Sequence, residues 1–114
     1  MTIRRHQEGK TLVLTIDRPF VDASCFEAVR EAILAEIQDA SQVVVDLSPV
    51  GMMDSSGVGV LLSVHRALLA RRGKLVLCGA REAVKSLLSL VNIPRLIPVF
   101  PTLAEAFSAF PATG

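Results

Sequence analysis

Residues 43–59 read Val-Val-Val-Asp-Leu-Ser-Pro-Val-Gly-Met-Met-Asp-Ser-Ser-Gly-Val-Gly and decide the fold of this chain. The apolar run at residues 43–47 predicts a short buried strand. Asp54 precedes a long helical pattern, so Ser55 lies at a strand-to-helix turn, where free backbone N–H groups and the helix dipole favour a negative charge. This position suits a serine that becomes phosphorylated, whereas a nucleophilic serine would also need a nearby base.

Strands and helices alternate in the rest of the chain. The predicted strands are residues 3–8, 10–16, 43–47, 74–78 and 96–100, with a hairpin turn at Glu8 and Gly9 between the first two. The predicted helices are residues 25–39, 55–72, 81–91 and 103–110. This order indicates an α/β domain with a mostly parallel sheet of four to five strands, an antiparallel N-terminal edge strand and about four helices. We expect one domain over residues 1–114, with a core at about 3–110 and a tail at 111–114.

Local signals mark the ends of the first two helices. Asp22 or Ser24 can cap the first helix with a side-chain oxygen. Gly73 is expected to end the central helix, with Arg71 and Arg72 placed near its negative end.

The central helix is apolar on two faces. One stripe, on which His65 also lies, contains Val58, Leu61, Leu62, Leu68 and Leu69, and a second face contains Val60, Val64 and Ala67. Such a helix is either covered on both sides or offers one face to a partner, and we favour a partner near its N-terminus. The following helix is amphipathic, with an expected buried stripe of Val84, Leu87, Leu88 and Val91.

The composition excludes several classes of function. Of the 114 residues, 51% are hydrophobic and the only aromatic ones are five Phe, which predicts an aliphatic core. Twelve basic and eleven acidic residues give no basic footprint for nucleic acid, and no apolar run reaches the roughly 20 residues of a membrane span. The start of the chain lacks a signal-peptide core, so we expect a cytoplasmic protein in which Cys25 and Cys78 are free, buried thiols.

Catalytic arrangements are poorly supported. A nucleophile elbow reads Gly-x-Ser-x-Gly, whereas residues 53–57 read Met-Asp-Ser-Ser-Gly. A triad needs a histidine near Ser55, but His65 is about 15 Å further along the same helix at ~1.5 Å per residue, and His6 lies in the first strand. The glycine pair of the motif lacks the remaining residues of a dinucleotide fingerprint or a phosphate loop. We therefore expect no catalytic residue, no cofactor and no metal site.

The residues alone leave two interpretations of the motif open. In one, Asp54 caps the helix, the serines fit its first turn, and the glycines let the helix start pack closely on a neighbouring strand. In the other, the turn is also a contact surface, since two glycines cost a helix about 1 kcal/mol each relative to alanine. One of Met52 and Met53 should point to solvent, because neighbours in an extended segment face opposite ways.

The chain resembles the STAS domains, and among them the single-domain bacterial anti-anti-sigma factors. The resemblance rests on residues 43–62, with the core Asp-Ser-Ser-Gly-Val-Gly, and continues through residues 73–78, 83–87 and 104–106. It implies an anti-sigma factor antagonist that acts as a switch and is not an enzyme. A serine kinase with a histidine-kinase-like ATPase fold, which commonly doubles as the anti-sigma factor, would bind the unphosphorylated protein. A PP2C-type phosphatase would reset it, and the chain itself would be a monomer or weak dimer.

The resemblance also implies site residues. Ser55 directly follows the motif aspartate and matches the usual phosphorylation site, so its phosphate would release the partner. The expected partner-binding residues are Asp22, Met52, Met53, Asp54, Ser55, Ser56, Gly57 and Val60. A phosphate adds about −1.5 to −2 charges at pH 7, and next to Asp54 this cluster would be costly to desolvate in an interface. The domain itself should not refold, because a helix N-terminus tolerates an anion.

The chain departs from the family pattern at two places. Residues 19–22 read Pro-Phe-Val-Asp where members often have Gly-x-Leu-Asp, and the proline stiffens that turn. Residues 91–93 read Val-Asn-Ile where members often have Thr-Gly-Leu, and Asn92 can adopt the left-handed conformation that glycine provides. The alternative to a switch is a non-catalytic scaffold, such as a stressosome-like or lipid-transport subunit, whose binding does not depend on Ser55.

Overall fold

The computed structural model describes residues 2–110 of the chain. Its strands are β1 (Ile3–Glu8), β2 (Thr11–Ile16), β3 (Phe20–Val21), β4 (Gln42–Asp46), β5 (Met52–Met53), β6 (Lys74–Cys78) and β7 (Val99–Phe100). Its α-helices are α1 (Phe26–Glu36), α2 (Ser55–Leu69), α3 (Glu82–Leu90) and α4 (Leu103–Phe107), with a 3-10 turn at Ile93–Arg95. The tail predicted at 111–114 lies outside the described residues.

Five strands form the main sheet, in the order β1-β2-β4-β6-β7. The hairpin β1–β2 is antiparallel, and β4, β6 and β7 continue the sheet in parallel from β2. The predicted α/β architecture, with its antiparallel N-terminal edge strand and about four helices, is therefore confirmed. The hairpin turn lies at Gly9 and Lys10, one residue later than predicted, and Gly9 has a φ of 57°.

The two faces of the sheet carry different layers. The larger core lies between the sheet and the helices α1, α2 and α3, and it is built from Val, Leu and Ile side chains of β2, β4 and β6. The opposite face is smaller, with Val13, Val44, Val76 and Cys78 packed against Ala106 of α4. The core is aliphatic, as the composition predicted, and both Cys25 and Cys78 are buried free thiols.

A second, two-stranded parallel sheet was not predicted. It pairs β3 with β5, so that Phe20 lies opposite Met52 and Val21 lies opposite Met53. The backbone of Pro19 supports this pairing, because its carbonyl accepts the N–H of Gly51 at 2.8 Å. This short sheet joins the segment before α1 to the segment before α2.

The central helix α2 is covered on both of its apolar faces. Leu61 and Leu68 of the first stripe are fully buried, and so are Val60 and Val64 of the second. The expectation that one apolar face is left for a partner is therefore wrong, since α1 packs along α2 on one side and the sheet covers the other. Leu69, which ends the helix, is 57% exposed.

The ends of α1 and α2 differ from the prediction. Cys25 is the N-cap of α1 and makes no side-chain capping bond; Asp22 supports this helix start through its backbone carbonyl, which accepts the N–H of Phe26 at 2.9 Å. Helix α2 ends at Leu69, and the left-handed residue that follows is Arg72, with a φ of 62°, rather than Gly73. The residues between the helix end and Gly73 form a turn, which is closed by a hydrogen bond from the N–H of Gly73 to the carbonyl of Leu68.

The chain after α3 is less regular than predicted. Val84 and Leu88 are buried as expected, whereas Val91 is 45% exposed and does not belong to the buried stripe. Asn92 has a φ of 62°, the left-handed conformation proposed for it. The strand expected at 96–100 is reduced to Val99–Phe100 and follows the 3-10 turn, and the final helix, α4, is shorter than the predicted 103–110. Thr102 caps α4 by accepting the N–H of Glu105 at 3.1 Å.

Candidate functional site

The N-terminus of α2 is held by Asp54. Its carboxylate oxygen Oδ1 accepts the backbone N–H of Ser56 at 2.8 Å and that of Gly57 at 3.3 Å, so two of the unpaired donors of the first turn are satisfied. The N–H of Asp54 donates to the carbonyl of Val21 at 3.2 Å. The cap is therefore tied both to its own helix and to β3, and the capping role predicted for Asp54 is confirmed.

Ser55 is the first residue of α2 and is exposed. It lies at the positive end of a fifteen-residue helix, where a phosphate would be favoured by the helix dipole. Residues 31–65 contain no lysine or arginine, so no basic side chain near it in sequence neutralises an added charge. Ser56, which is half-buried, contributes its backbone N–H to the cap.

The two glycines of the motif, Gly57 and Gly59, differ in the space around them. A Cβ on Gly57 would lie 2.4 Å from Cγ of Met53 and 2.9 Å from the carbonyl oxygen of Val21. Only glycine therefore lets the helix start pack against the small sheet. A Cβ on Gly59 would meet nothing within 4 Å, so the steric interpretation of the glycine pair is correct for Gly57 and wrong for Gly59.

One methionine of the pair is buried and the other is exposed to solvent, as predicted. Met53 is 8% exposed and lies under Gly57, whereas Met52 is 59% exposed. Opposite Met52 in the small sheet is Phe20, which is 51% exposed. Two large apolar side chains thus lie on neighbouring strands at the surface, and Met52 comes two residues before the capping Asp54.

Asp22 lies directly after β3, in the turn that leads into α1. Its Oδ1 accepts the hydroxyl of Ser24 at 2.6 Å and the N–H of Ser24 at 3.0 Å. These hydrogen bonds, with a smaller contribution from the positive charge of Arg18, lower the pKa of the Asp22 carboxyl below its ordinary value. The carboxylate is half-exposed and ionised at neutral pH, beside the strand that contacts the cap.

The structure brings most of the predicted site residues together around the small sheet and the start of α2. Met52, Asp54 and Ser55 are exposed there. Gly57 and Val60 are buried, and Val60 is only 1% exposed. Their assignment as partner contacts is therefore corrected: both serve internal packing, and Met53 does so largely.

Phe20 was not predicted as a site residue. Phe20 lies within residues 19–22, where the sequence departs from the family pattern, but that departure concerns Pro19, and the site residue predicted there was Asp22. Only the pairing of β3 with β5 shows that Phe20 shares a surface with Met52. Gly59 belongs to the sequence motif, but the motif did not predict that it would be exposed. It is exposed because of its position on α2.

The hydrolase interpretation finds no support in the geometry. His6 lies on the edge strand β1, where its Nε2 is 3.0 Å from Oε1 of Glu8, and His65 lies far along α2 from Ser55. Among residues 2–110, no cluster of three metal-ligating side chains is found. In the same part of the chain, none of the helices combines the length and the apolar character needed to cross a bilayer.

The fold and the capped serine define a small α/β domain with an exposed serine at the start of its central helix, and the chain was compared with known families. The model of the STAS domain family matches residues 2–106. The chain therefore belongs to the STAS family, and the resemblance drawn from the sequence is confirmed.

Curated relatives share part of the chain. A Thermotoga maritima protein with the provisional name anti-sigma factor antagonist is 32% identical over 60 residues, or 53% of each chain. The anti-sigma-B factor antagonist of Listeria monocytogenes is 28% identical over 80 residues, covering 69% of this chain and 70% of that protein. The alignment with the Thermotoga relative thus spans about half the length of both proteins.

Solved structures match nearly the whole chain. A Thermotoga maritima crystal structure with the same provisional name has a TM-score of 0.87 at 19% identity, covering 94% of this chain and 92% of the other. The Bacillus cell fate determinant SpoIIAA, solved in its phosphorylated form, has a TM-score of 0.69 at 21% identity, with 94% and 97% covered. At these identities the similarity establishes the fold.

Proposed function

We propose that this STAS protein is an anti-sigma factor antagonist that works by partner switching and is not an enzyme. In the cytoplasm, the unphosphorylated form binds a serine kinase with a histidine-kinase-like ATPase fold, which is also the anti-sigma factor. Phosphorylation of Ser55 releases this partner, and a PP2C-type phosphatase restores the binding form. The names of the curated relatives support the antagonist role, and the phosphorylated form of SpoIIAA supports the modification.

One observation carries this proposal: Ser55 is exposed at the first position of a helix whose N-cap, Asp54, makes its hydrogen bonds without the Ser55 hydroxyl. The hydroxyl is therefore available to a kinase, and the fold does not depend on it. A side chain that served only to cap the helix would be engaged, as Asp54 is. The exposed position fits a modification that changes the surface and leaves the core unchanged.

The electrostatics explain why a phosphate would break the complex. Phosphoserine carries about −1.5 to −2 charges at pH 7, and the Asp54 carboxylate lies on the neighbouring residue. Within the domain, the N-terminus of α2 tolerates this charge. In a complex, the same charges would have to leave water against a surface that fits a neutral hydroxyl, and unpaired buried charges are strongly unfavourable.

The proposal is tested by affinity capture from native lysate with wild-type, Ser55→Ala and Ser55→Asp proteins as baits, followed by mass spectrometry. We expect the first two baits to recover a histidine-kinase-like ATPase and Ser55→Asp to lose it. Ser41→Asp is a matched control, because Ser41 is exposed and precedes β4, at the opposite end of the strands from Ser55. Equal capture of one set of partners by all four baits would contradict the switch and favour the scaffold alternative.

A further inference from the structure

The two edges of the main sheet differ in how they are protected. An edge strand presents unpaired backbone N–H and C=O groups, and proteins commonly protect such a strand by making it short or by placing proline or a bulge in it. Strand β7, at one edge, has two residues and lies between Pro98 and Pro101. Strand β1, at the other edge, has six residues in an unbroken register with β2 and contains no proline. Of the two edges, β1 is therefore the one that can pair with a further strand.

The pairing of β1 with β2 shows which backbone groups face this edge. The N–H of Asp17 donates to the carbonyl of Thr2 at 2.7 Å. Because hydrogen-bonded pairs alternate along an antiparallel ladder, the even-numbered residues of β1 direct their backbone groups to β2 and the odd-numbered ones direct theirs outward. Arg5 and Gln7, which are both exposed, thus present N–H and C=O groups at the edge. A partner strand must match this alternation.

The charges of β1 are separated by sign along the strand. Arg4 and Arg5 lie near its start, and Glu8 is its last residue. An antiparallel copy of the strand places the basic start opposite the acidic end, whereas a parallel copy would place like charges side by side. Charges that only kept other strands away would not have to be separated in this way. The partner that the edge fits best is therefore a second copy of this chain.

Most two-fold registers of such a pair are unfavourable. The backbone alternation is matched when the two-fold axis passes through a residue and not between residues. An axis at Arg4, Arg5 or Glu8 sets that charged side chain opposite its own copy. An axis at Gln7 sets Arg4 opposite the partner's Lys10. Like charges directly opposite each other are destabilising in a sheet, so these registers are excluded.

We infer that the protein forms a two-fold dimer through β1, in the register whose axis passes through His6. In this register Arg4 lies opposite the partner's Glu8, and Glu8 lies opposite the partner's Arg4. Arg5 exchanges backbone hydrogen bonds with the partner's Gln7, again twice by symmetry. The five-stranded sheet of one copy continues into that of the other.

The side chains of β1 are free to make this contact. Arg4 Nε lies 3.4 Å from Oδ2 of Asp17, and His6 Nε2 lies 3.0 Å from Oε1 of Glu8, with all four side chains more than 45% exposed. Exposed ion pairs of this kind contribute about 0–1 kcal/mol, so they rearrange at little cost. For the same reason the dimer is weak, and salt weakens it further by screening.

The dimer is independent of the proposed function. Ser55 begins the helix that connects β4 to β6, and β2 separates β4 from β1 in the sheet. Pairing at β1 therefore leaves the start of α2 accessible in both copies. Ser55→Asp should dimerise as the wild type does, so a failure of the dimer and a failure of the phosphorylation switch are distinguishable.

The test is sedimentation equilibrium of the full chain at concentrations up to about 1 mM, where even a weak dimer is populated. The variants are Arg4→Glu, Glu8→Arg and the double variant that carries both changes. Lys85→Glu is the matched control, because Lys85 is exposed on α3, which leads to the other edge of the sheet. Chemical unfolding of each variant is measured in parallel.

We expect each single reversal to weaken the dimer about tenfold, because it turns two attractive pairs into two repulsive ones. The double variant should dimerise within about twofold of the wild type, since both pairs are restored with their signs exchanged. A mixture of the Arg4→Glu and Glu8→Arg chains should form a mixed dimer for the same reason. Lys85→Glu should leave dimerisation unchanged.

A backbone variant provides a second test. Gln7→Pro removes an N–H that faces the edge and leaves the hydrogen bonds to β2 in place, so it should abolish the dimer in a chain that circular dichroism shows to be folded. Should Gln7→Pro fail to fold, the charge reversals decide alone. A wild-type chain that is monomeric at every concentration would overturn the inference. So would a dimer that neither single reversal weakens, or one that the double variant does not restore.

Discussion

The carboxylate of Asp54 accepts the backbone N–H of Ser56 at 2.8 Å, across the residue that we propose as the switch. The same oxygen accepts the N–H of Gly57, so the first turn of α2 is closed around Ser55 without using its hydroxyl. The stability of the helix start and the proposed regulation therefore involve two neighbouring side chains. Asp54 stabilises the helix start, and Ser55 remains free for modification.

Replacing Asp54 should test this division directly. Asp54→Ala removes the acceptor of two N–H groups and should lower the free energy of unfolding by about 0.5–2 kcal/mol. Asp54→Asn keeps an oxygen in the same place and should stay within about 0.5 kcal/mol of the wild type. Chemical denaturation followed by circular dichroism measures both, and an equal loss in both variants would show that the charge, not the hydrogen bonds, stabilises the helix start.

The two glycines of the motif should respond in opposite directions to alanine. Gly57→Ala places a Cβ 2.9 Å from the carbonyl oxygen of Val21, so the helix start must shift, and we expect a loss of about 1–3 kcal/mol. Gly59→Ala meets open space and should gain about 0.5–1 kcal/mol from helix propensity. Thermal and denaturant unfolding measure both changes, and a loss of stability at both positions would contradict the packing described for Gly59.

Arg71 should stabilise the end of α1, although the sequence placed it at the end of α2. Its Nη2 donates to the carbonyl of Ala40 at 2.8 Å and also to that of Ile37. Because these are charge-assisted hydrogen bonds, Arg71→Ala should cost about 1–3 kcal/mol. The exposed Arg66 is the comparison, and Arg66→Ala should change the free energy of unfolding by less than about 0.5 kcal/mol. Equal effects of the two variants would contradict the assigned role.

Cys78 should make the fold less stable at alkaline pH. Burial, with a smaller effect of the Asp46 carboxylate, raises the pKa of its thiol from 9.0 to about 12. The folded state keeps the thiol protonated, whereas the unfolded chain releases the proton above its ordinary pKa. The contribution of the protonated Cys78 thiol to the free energy of unfolding is therefore fully present below pH 9, and it is lost progressively between pH 9 and pH 12.

This pH dependence is measured by comparing Cys78→Ala with the wild type in guanidinium unfolding at pH 7 and pH 10. The cost of the substitution should be smaller at pH 10, by about 1 kcal/mol. Cys25→Ala is the matched control for general effects of alkaline pH. A cost of Cys78→Ala that is the same at both pH values would show that the thiol is not held protonated by the fold.

Much of the fold could be predicted from local pattern. The strands β2, β4 and β6 are apolar runs that belong in the middle of a sheet, and the buried positions Val29 and Ile33 of α1 follow the helical period. Asp54 could be predicted as a cap because its residue type and its place before an apolar helix are sufficient signals. The position of Ser55 in the first turn of α2 could be predicted from the same motif.

The remainder depends on contacts between distant segments. Strands β3 and β5 have two residues each and exist only because they pair across about thirty residues, so neither they nor the surface shared by Phe20 and Met52 could be predicted. The burial of Val60 depends on the packing of α2 into the larger core, which brings together segments distant in sequence. The strand expected at 96–100 is shortened because Pro94 and the left-handed Asn92 introduce a 3-10 turn.

The most direct test of the account is phosphorylation of the purified protein by its captured kinase, followed by the affinity of the product for that kinase. We predict one phosphate per chain, on Ser55, a loss of affinity of at least tenfold, and an unchanged circular dichroism spectrum. Treatment with a PP2C-type phosphatase should restore binding. A phosphate on Ser56, or a product phosphorylated on Ser55 that binds as tightly as the unmodified protein, would contradict the central claim.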